Sequence, residues 1–596
     1  MPGRGDRGRV KEKPKDAKGT LRRIIAYLMY YKWIVLFLLL CAVLSNLGNL
    51  MGPRFAGKAI SIAEEGYAQG IGHVDMDGVR RYAFLMLAVY ISSSVLSFIV
   101  TISMARVGRK IAENMRRDVF EKLMRMPVSY FDRHQAGDII SRVSYDIDVV
   151  CTSLSADVIH ILTSLITVTG SFIIMCTISV PLVLCMAFTI PVSIWFTRRM
   201  GKITRPLYSR RSASYGIMNG FAEEMFTGQK TILAYAHEEE TVRQFSEINR
   251  NAAEAYKNAD GMGMIMGPTI GMISNIGLAA IGMGGAVLYL NGVVGLGQIS
   301  SFVLYSRKFS GPINEISNIT NEIFSALAAA ERVFQLLDQP EETADVPDAQ
   351  ILENSHGHVE AEDVSFGYLP GKTVLHNLNM EAKTGQTVAI VGHTGAGKTT
   401  IINLLMRFYD PDSGMIKVDE KPHTDYTMES LRRNYAMVLQ DTWLFQGTIF
   451  ENIAYGKENA TMDEVVAAAK AARIHNYIMT LPNGYNTVIT EDGGNISKGQ
   501  KQLLTIARAM LYDTNMLILD EATSNVDTAT ERQVQKAIRS LMKNKTCFVI
   551  AHRLSTIQNA DQILVVDHGD VVEQGTHDEL MADKGMYYRL YASQFD

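Results

Sequence analysis

Residues 387–399 read Thr-Val-Ala-Ile-Val-Gly-His-Thr-Gly-Ala-Gly-Lys-Thr. The first five are β-branched or apolar and make a run of strand length. The next eight fit the pattern Gly392-x4-Gly397-Lys398-Thr399, whose meaning depends on a strand before it and a helix after it. Glycines at 392, 395 and 397 let successive backbone N–H groups turn inward around an anion, at the positive end of the following helix. The pattern therefore predicts nucleotide phosphates cradled by Gly392, His393, Thr394, Gly395, Ala396, Gly397, Lys398, Thr399 and Thr400. Lys398 would reach the β- and γ-phosphates and the Thr399 hydroxyl would ligate Mg²⁺.

Two other apolar runs end in residues that such a loop needs. Met516–Leu519 delivers Asp520 and Glu521, and Cys547–Ala551 ends in His552. An Asp-Glu pair after a strand is commonly a solvated strand end, and a lone histidine is commonly structural. Position at the carboxyl end of parallel strands, where open α/β sheets bind ligands, favours chemistry here. Asp520 is expected to hold Mg²⁺ and Glu521 to orient or deprotonate the attacking water; His552 is expected to sense the γ-phosphate. Short apolar runs alternating with helical stretches predict an α/β domain with a mainly parallel sheet over residues 358–596.

The rest of the chain has a different texture. Of 596 residues, 47% are apolar and 20% charged, below the ~25% usual in soluble chains. Disorder, a collagen repeat and a disulfide scaffold are excluded. Cys41, Cys151, Cys176, Cys185 and Cys547 show no metal spacing and read as small buried apolar groups. Six stretches are long and apolar enough to cross ~30 Å of hydrocarbon: 33–52, 82–105, 156–178, 180–197, 264–290 and 299–325. Leu21–Tyr31, with Arg22 and Arg23, reads as an amphipathic helix on the membrane surface.

Lysine and arginine crowd 106–142 and 198–260, while 179–181 and 291–298 carry no charge. That asymmetry puts both termini and the two long loops on the cytoplasmic side. The long loops read as helical extensions broken near Met126-Pro127 and Thr227-Gly228-Gln229. The organisation expected is a basic cytoplasmic tail 1–20, a transmembrane domain 21–336, a linker 337–357 and the α/β domain. Arg307 and Lys308 lie well inside the sixth span, where charges face a cavity or a partner. Asp157 and His160 share a helix face and suit interhelical hydrogen bonding or substrate contact. Methionine is abundant, 31 in all, and Gly261–Pro268 offers a compliant, breakable start to the fifth span.

Asn495-Ile496-Ser497-Lys498-Gly499-Gln500, shortly before Asp520-Glu521, resembles the signature motif of ABC ATPases. The surrounding order resembles that family too: Tyr368, the glycine loop, Gln440, the signature, Asp520-Glu521, a D-loop at Ser524–Asp527, and His552. The first half is similar to the six-helix membrane domain of bacterial ABC exporters, with Phe131-Asp132 and Gly137-Asp138 resembling a coupling helix. The fold so implied is an all-α membrane domain with long cytoplasmic helical extensions, followed by a P-loop ABC nucleotide-binding domain.

The resemblance implies an ATP hydrolase coupled to transport, with ATP and Mg²⁺ as cofactors. Two nucleotide domains would close head to tail. Tyr368 would stack on the adenine, and Gln440 would reach Mg²⁺ and link it to the coupling helices. Ser497, Lys498, Gly499 and Gln500 would face ATP held by a partner, with Asp527 in the D-loop. The implied setting is a multi-pass protein of the bacterial inner membrane exporting hydrophobic or amphiphilic drugs, lipids or peptides, with no nucleic-acid partner. Lys498 stands where the usual Leu-Ser-Gly-Gly-Gln has its first glycine, and a lysine there restricts the backbone and adds charge. An intact P-loop side with an altered signature resembles one subunit of a heterodimeric exporter. The alternatives are a homodimeric lipid flippase or exporter in which Lys498 is tolerated, and an ATP-gated sensor or channel.

Overall fold

The computed structural model describes residues 16–70, 73–440, 442–490, 496–520, 528–551 and 557–595. The chain forms two compact units, one of Met1–Arg125 with His134–Pro340, the other of Met126–Arg133 with Glu341–Asp596.

The first unit is built of helices. Among the described residues, five are long and apolar enough to span a membrane: Lys32–Ala68, Met76–Met124, Ala136–Ile178, Val180–Thr227 and Glu238–Leu290. Apolar side chains on them face outward, as lipid requires; Phe84 is 71% and Phe98 65% exposed. Ser179 and Pro181 turn the chain between the third and fourth spans, with the proline in the first turn of its helix, where a missing N–H costs little. A sixth long helix, Leu296–Leu337, covers the last expected span, but its polar and charged residues leave it outside the five most apolar ones. Met76–Met124 has 49 residues, so at ~1.5 Å per residue it runs about 70 Å, far past ~30 Å of hydrocarbon. The break expected near Gly228 is real, with helices ending at Thr227 and restarting at Gln229 and Glu238. Gly261–Pro268, the compliant and breakable start to the fifth span, stays helical, because Glu238–Leu290 continues through Pro268.

Pro53 lies inside the first spanning helix. Lacking an N–H, it cannot serve the carbonyl four residues back, that of Asn49. The sixth helix covers this region with three side chains at i, i+4 and i+7 spacing, hence on one face. Lys308 Nζ donates to the Asn49 carbonyl at 2.5 Å, the Tyr305 hydroxyl to that of Leu50 at 2.5 Å, and Ser301 Oγ to that of Pro53 at 2.9 Å. Gly297, one turn before Ser301, lies so close to the Gly57 carbonyl that a Cβ would collide with it. Tyr305 and Phe302 are fully buried with Leu50, Met175, Leu182 and Ile281. Elsewhere in the unit, Arg332 pairs with buried Asp146 through two hydrogen bonds of 2.9 and 2.5 Å. Asp157, also buried, accepts from Ser153 Oγ at 2.5 Å within its own helix.

The described part of the second unit carries twelve strands: β1 Val359–Phe366, β2 Leu375–Ala382, β3 Thr387–Val391, β4 Ser413–Val418, β5 Lys421–Pro422, β6 Tyr435–Val438, β7 Gly447–Thr448, β8 Val488–Ile489, β9 Met516–Asp520, β10 Thr546–Ile550, β11 Gln562–Asp567 and β12 Asp570–Gly575. β2-β1-β4-β5 form an antiparallel sheet, and β12-β11-β3-β10-β9-β6 form the main one. In the main sheet the pairs are parallel except β11 with β12. β3, β9 and β10 are almost wholly buried, the mark of strands covered on both faces. Register matters for function. Ile550 pairs with Ile390 on one side and Asp520 on the other, so the chain leaves β3, β9 and β10 along one edge.

His423, 2% exposed, bonds the Ile416 carbonyl through Nδ1 at 3.0 Å, and its Nε2 has no partner among the described residues. Burial, assisted by nearby Arg407, lowers its pKa from 6.5 to about 4. The ring is therefore kept neutral when folded and protonates more readily when unfolded. Stability from this group is complete above pH 6.5 and drains away as pH falls toward 4.

Tyr305→Phe should lower the thermal stability of the purified chain by about 1 kcal/mol, since the buried hydrogen bond from its hydroxyl to the Leu50 carbonyl is lost. His423→Gln keeps a donor for Ile416 but cannot protonate, so the fall in Tm between about pH 7 and pH 5 should be smaller than in wild type. An unchanged pH dependence would contradict the assignment.

Candidate nucleotide site

The glycine loop leaves β3 and enters the helix Lys398–Leu405. Gly397 has φ +110°, and a Cβ there would press on the Leu375 side chain at 2.8 Å. Gly392 passes so close to the Val566 carbonyl that a side chain has no room. Lys398 is buried and its Nζ donates to the carbonyls of Gly392 and His393, both at 2.9 Å. Burial lowers its pKa, opposed by the charge of Asp520. The ammonium is thus held inside the loop by neutral acceptors that an anion would replace with stronger, charge-assisted bonds. These features fit a nucleotide's phosphates. His393, Thr394 and Thr399 are exposed on the loop with Gly395, while Ala396 is buried beneath it. The Thr399 hydroxyl and the Asp520 carboxylate are hard oxygen donors of the kind Mg²⁺ takes.

Other expected residues are placed less simply. Thr400 is turned inward, and its Oγ1 accepts from the Tyr368 hydroxyl at 3.1 Å. Asn403 donates to the same hydroxyl at 3.1 Å, and the Tyr368 ring meets Phe366 and Tyr409 edge-on, centroids 5.0 Å away in each case. Tyr368 is therefore locked against the helix that follows the loop. Gln440 is exposed just past β6. Glu521, Asp527 and His552 lie outside the described residues.

The signature segment opens the helix Lys498–Tyr512, and its Ser and Gln have a structural reason to stand three apart. Ser497 caps the helix: its Oγ accepts from the Gln500 N–H at 3.4 Å, and Gln500 Oε1 accepts from the Ser497 N–H at 3.0 Å. This reciprocal box satisfies two orphan donors at the helix end. Lys498 is exposed at the first helical position, and Gly499 is buried. Lys498 takes ordinary helical geometry, which suits any L-residue. Its side chain adds a positive charge to the segment. Farther along the same helix, Arg508 donates to the carbonyls of Asn452 and Trp443 at 2.8 and 3.2 Å. It thereby ties the signature helix to the segment after Gln440.

One contact has no signal in the sequence. The helix Val128–Arg133 belongs to this unit, where the Tyr409 hydroxyl donates to Asp132 Oδ2 at 2.6 Å and Arg133 donates to the Tyr368 carbonyl at 2.9 Å. Burial, then Asp132, raises the Tyr409 pKa. Phe131-Asp132 is legible as a coupling segment, but the aromatic receiving it is not.

Apolar spanning helices and a P-loop α/β unit in one chain define a membrane protein driven by nucleotide. Residues 35–313 match the family model described as ABC transporter transmembrane region, and residues 375–524 match the one described as ABC transporter. The chain is 41% identical to the "uncharacterized ABC transporter ATP-binding protein YfiC" of Bacillus subtilis, over 98% of this chain and 96% of that protein. It is 43% identical to the fatty acid ABC transporter ATP-binding/permease protein of Mycobacterium bovis, over 87% of this chain and 82% of the other. A solved bacterial Atm1-family ABC exporter with ATP bound matches with TM-score 0.75 at 28% identity, covering 97% of this chain and 99% of that one. The chain belongs to the ABC transporter family, and its ATPase domain couples ATP hydrolysis to transport.

Ser497→Ala removes one half of the capping box. It should cost about 0.5–2 kcal/mol locally, seen as faster amide hydrogen exchange in the first turn of the helix Lys498–Tyr512. Exchange equal to wild type would show that the cap carries no weight.

Proposed function

We propose that the chain is one half of an ATP-driven exporter moving hydrophobic or amphiphilic compounds, whether lipid, drug or peptide, outward across a bacterial inner membrane. The observation that carries this reading is the Lys398 ammonium held by two loop carbonyls, in the same chain as five lipid-length apolar helices. The Mycobacterium relative, named for fatty acids, supports a lipid-like substrate.

In this reading Lys398 neutralises the β- and γ-phosphates, and Thr399, Asp520 and Gln440 hold Mg²⁺, which supplies charge neutralisation at the transferring phosphoryl group. Glu521 orients the attacking water and His552 contacts the γ-phosphate. Tyr368 borders the adenine. Ser497, Lys498, Gly499 and Gln500 meet the nucleotide held by the partner subunit, with Asp527 in the D-loop beside them. Closure of two such domains is favoured only insofar as nucleotide binds the closed pair more tightly than the open one. The helix Val128–Arg133, pinned by Tyr409, transmits that closure to the spanning helices. Both termini and the nucleotide domain are cytoplasmic.

The partner in this proposal is a different half-transporter, because Lys498 adds a cation to the signature. A homodimer is the second reading. It is favoured by the intact capping box and the ordinary helical backbone at Lys498.

Mg-ATP hydrolysis by the chain alone in lipid nanodiscs, with Glu521→Gln as the blank, tests both. Under the heterodimer reading, turnover stays near the blank and rises severalfold with a partner carrying an unaltered signature. Robust, blank-sensitive turnover by the chain alone selects the homodimer. ATP-dependent directional accumulation in vesicles tests pumping itself, since an ATP-gated channel builds no gradient.

A further inference from the structure

Arg307 and Lys308 place two consecutive cations in the sixth long helix, and the structure sends them different ways. Arg307 is exposed; Lys308 is half-buried and lines a cavity of about 480 Å³ inside the first unit. Lys308 is the one Lys or Arg among the described lining residues. Its partners there are the Asn49 carbonyl at 2.5 Å and the ring of Tyr90, centroid 5.6 Å away. Neither bears a formal charge, so a cation at membrane depth stands without a counter-ion among the described residues.

The rest of the wall is mixed: besides apolar and self-bonded hydroxyl residues it includes the His160 ring and the Ser97 and Ser164 hydroxyls. Leu50, Val100 and Ile159 are apolar. The hydroxyls of Thr101, Ser155 and Thr163 donate to carbonyls one turn back on their own helices, at 2.9, 2.7 and 2.9 Å. Their protons are committed, so they offer an anion nothing. The Asn49 side-chain amide also belongs to a lining residue and makes no hydrogen bond among the described residues. Lys308 Nζ sits on the Asn49 carbonyl, so the wall's one Lys or Arg charge and the Asn49 amide donor lie side by side, with the His160 ring and the Ser97 and Ser164 hydroxyls also on the wall.

We propose that this cavity binds the carboxylate head of a long-chain fatty acid, with Lys308 as counter-ion, the Asn49 amide as second donor, and the chain along Leu50, Val100 and Ile159. One ammonium balances one negative charge; a phosphate monoester would keep a second charge unpaired in a low-dielectric site. The volume is that of a site for a single small ligand. The inference rests on the reading of the chain as a transporter of amphiphiles and specifies its substrate class.

The test is equilibrium binding of radiolabelled hexadecanoic acid, hexadecanol and hexadecyl phosphate to the full chain in phosphatidylcholine nanodiscs, with empty nanodiscs as blank. Wild type should bind the acid about tenfold or more tighter than the alcohol, the worth of one charge-assisted contact. Lys308→Gln keeps a donor for the Asn49 carbonyl but loses the charge. It should bring the acid down to the level of the alcohol and leave the alcohol unchanged, whereas Lys308→Arg keeps the preference. A lysine that only braces the helix would change both ligands together. Equal binding of acid and alcohol by wild type, undiminished acid binding by Lys308→Gln, or tighter binding of hexadecyl phosphate than of the acid would each overturn the proposal. Alcohol binding without preference for the acid leaves the amphiphile reading standing, while failure to bind any of the three removes both. If Lys308→Gln does not fold, the wild-type comparison and Lys308→Arg decide.

Discussion

A backbone carbonyl with no partner inside hydrocarbon costs several kcal/mol, and the helical unit is organised around meeting that constraint. Pro53 removes one rung from the ladder of the first spanning helix. Lys308, Tyr305 and Ser301 of the sixth helix donate to carbonyls at and just before that point. The two helices are thereby joined by polar bonds and by the close approach of Gly57 and Gly297, where apolar contact alone discriminates little against lipid. The same geometry brings Lys308 to the wall of the cavity, so a contact that braces two helices also puts a cation where a ligand can reach it.

The nucleotide unit answers a different constraint. A parallel sheet covered on both faces has one edge left for chemistry, the carboxyl ends of its strands. β3, β10 and β9 lie side by side in register, and that pairing brings the glycine loop and Asp520 to the same edge. Lys398 then needs no substrate to be ordered, because two carbonyls of its own loop hold it. The signature helix is prepared in a similar way by the Ser497–Gln500 box, and Arg508 fastens it to the segment after Gln440.

Much of this is legible in the residues because the governing physics is local. A glycine loop between strand and helix, an acidic residue at a strand end, and apolar runs of membrane length each declare themselves within a short window. Lys498 shows the limit of such reading. A lysine in place of the motif's first glycine announces an added charge, but not that the position is the first residue of a regular helix. Pro268 shows another limit, since a residue that permits a break sits inside an unbroken helix.

Sequence alone determined the two-part architecture, the P-loop chemistry and where the spanning helices lie along the chain, since periodicity, hydropathy and motif spacing act through near neighbours. Tertiary structure decided which of two adjacent cations, Arg307 or Lys308, lines the cavity, and that Tyr409 receives Asp132 across 277 positions of chain. Neither could be read in advance. Side-chain direction depends on which helix packs against which, and a hydrogen bond between distant segments exists only once the backbone has brought them together.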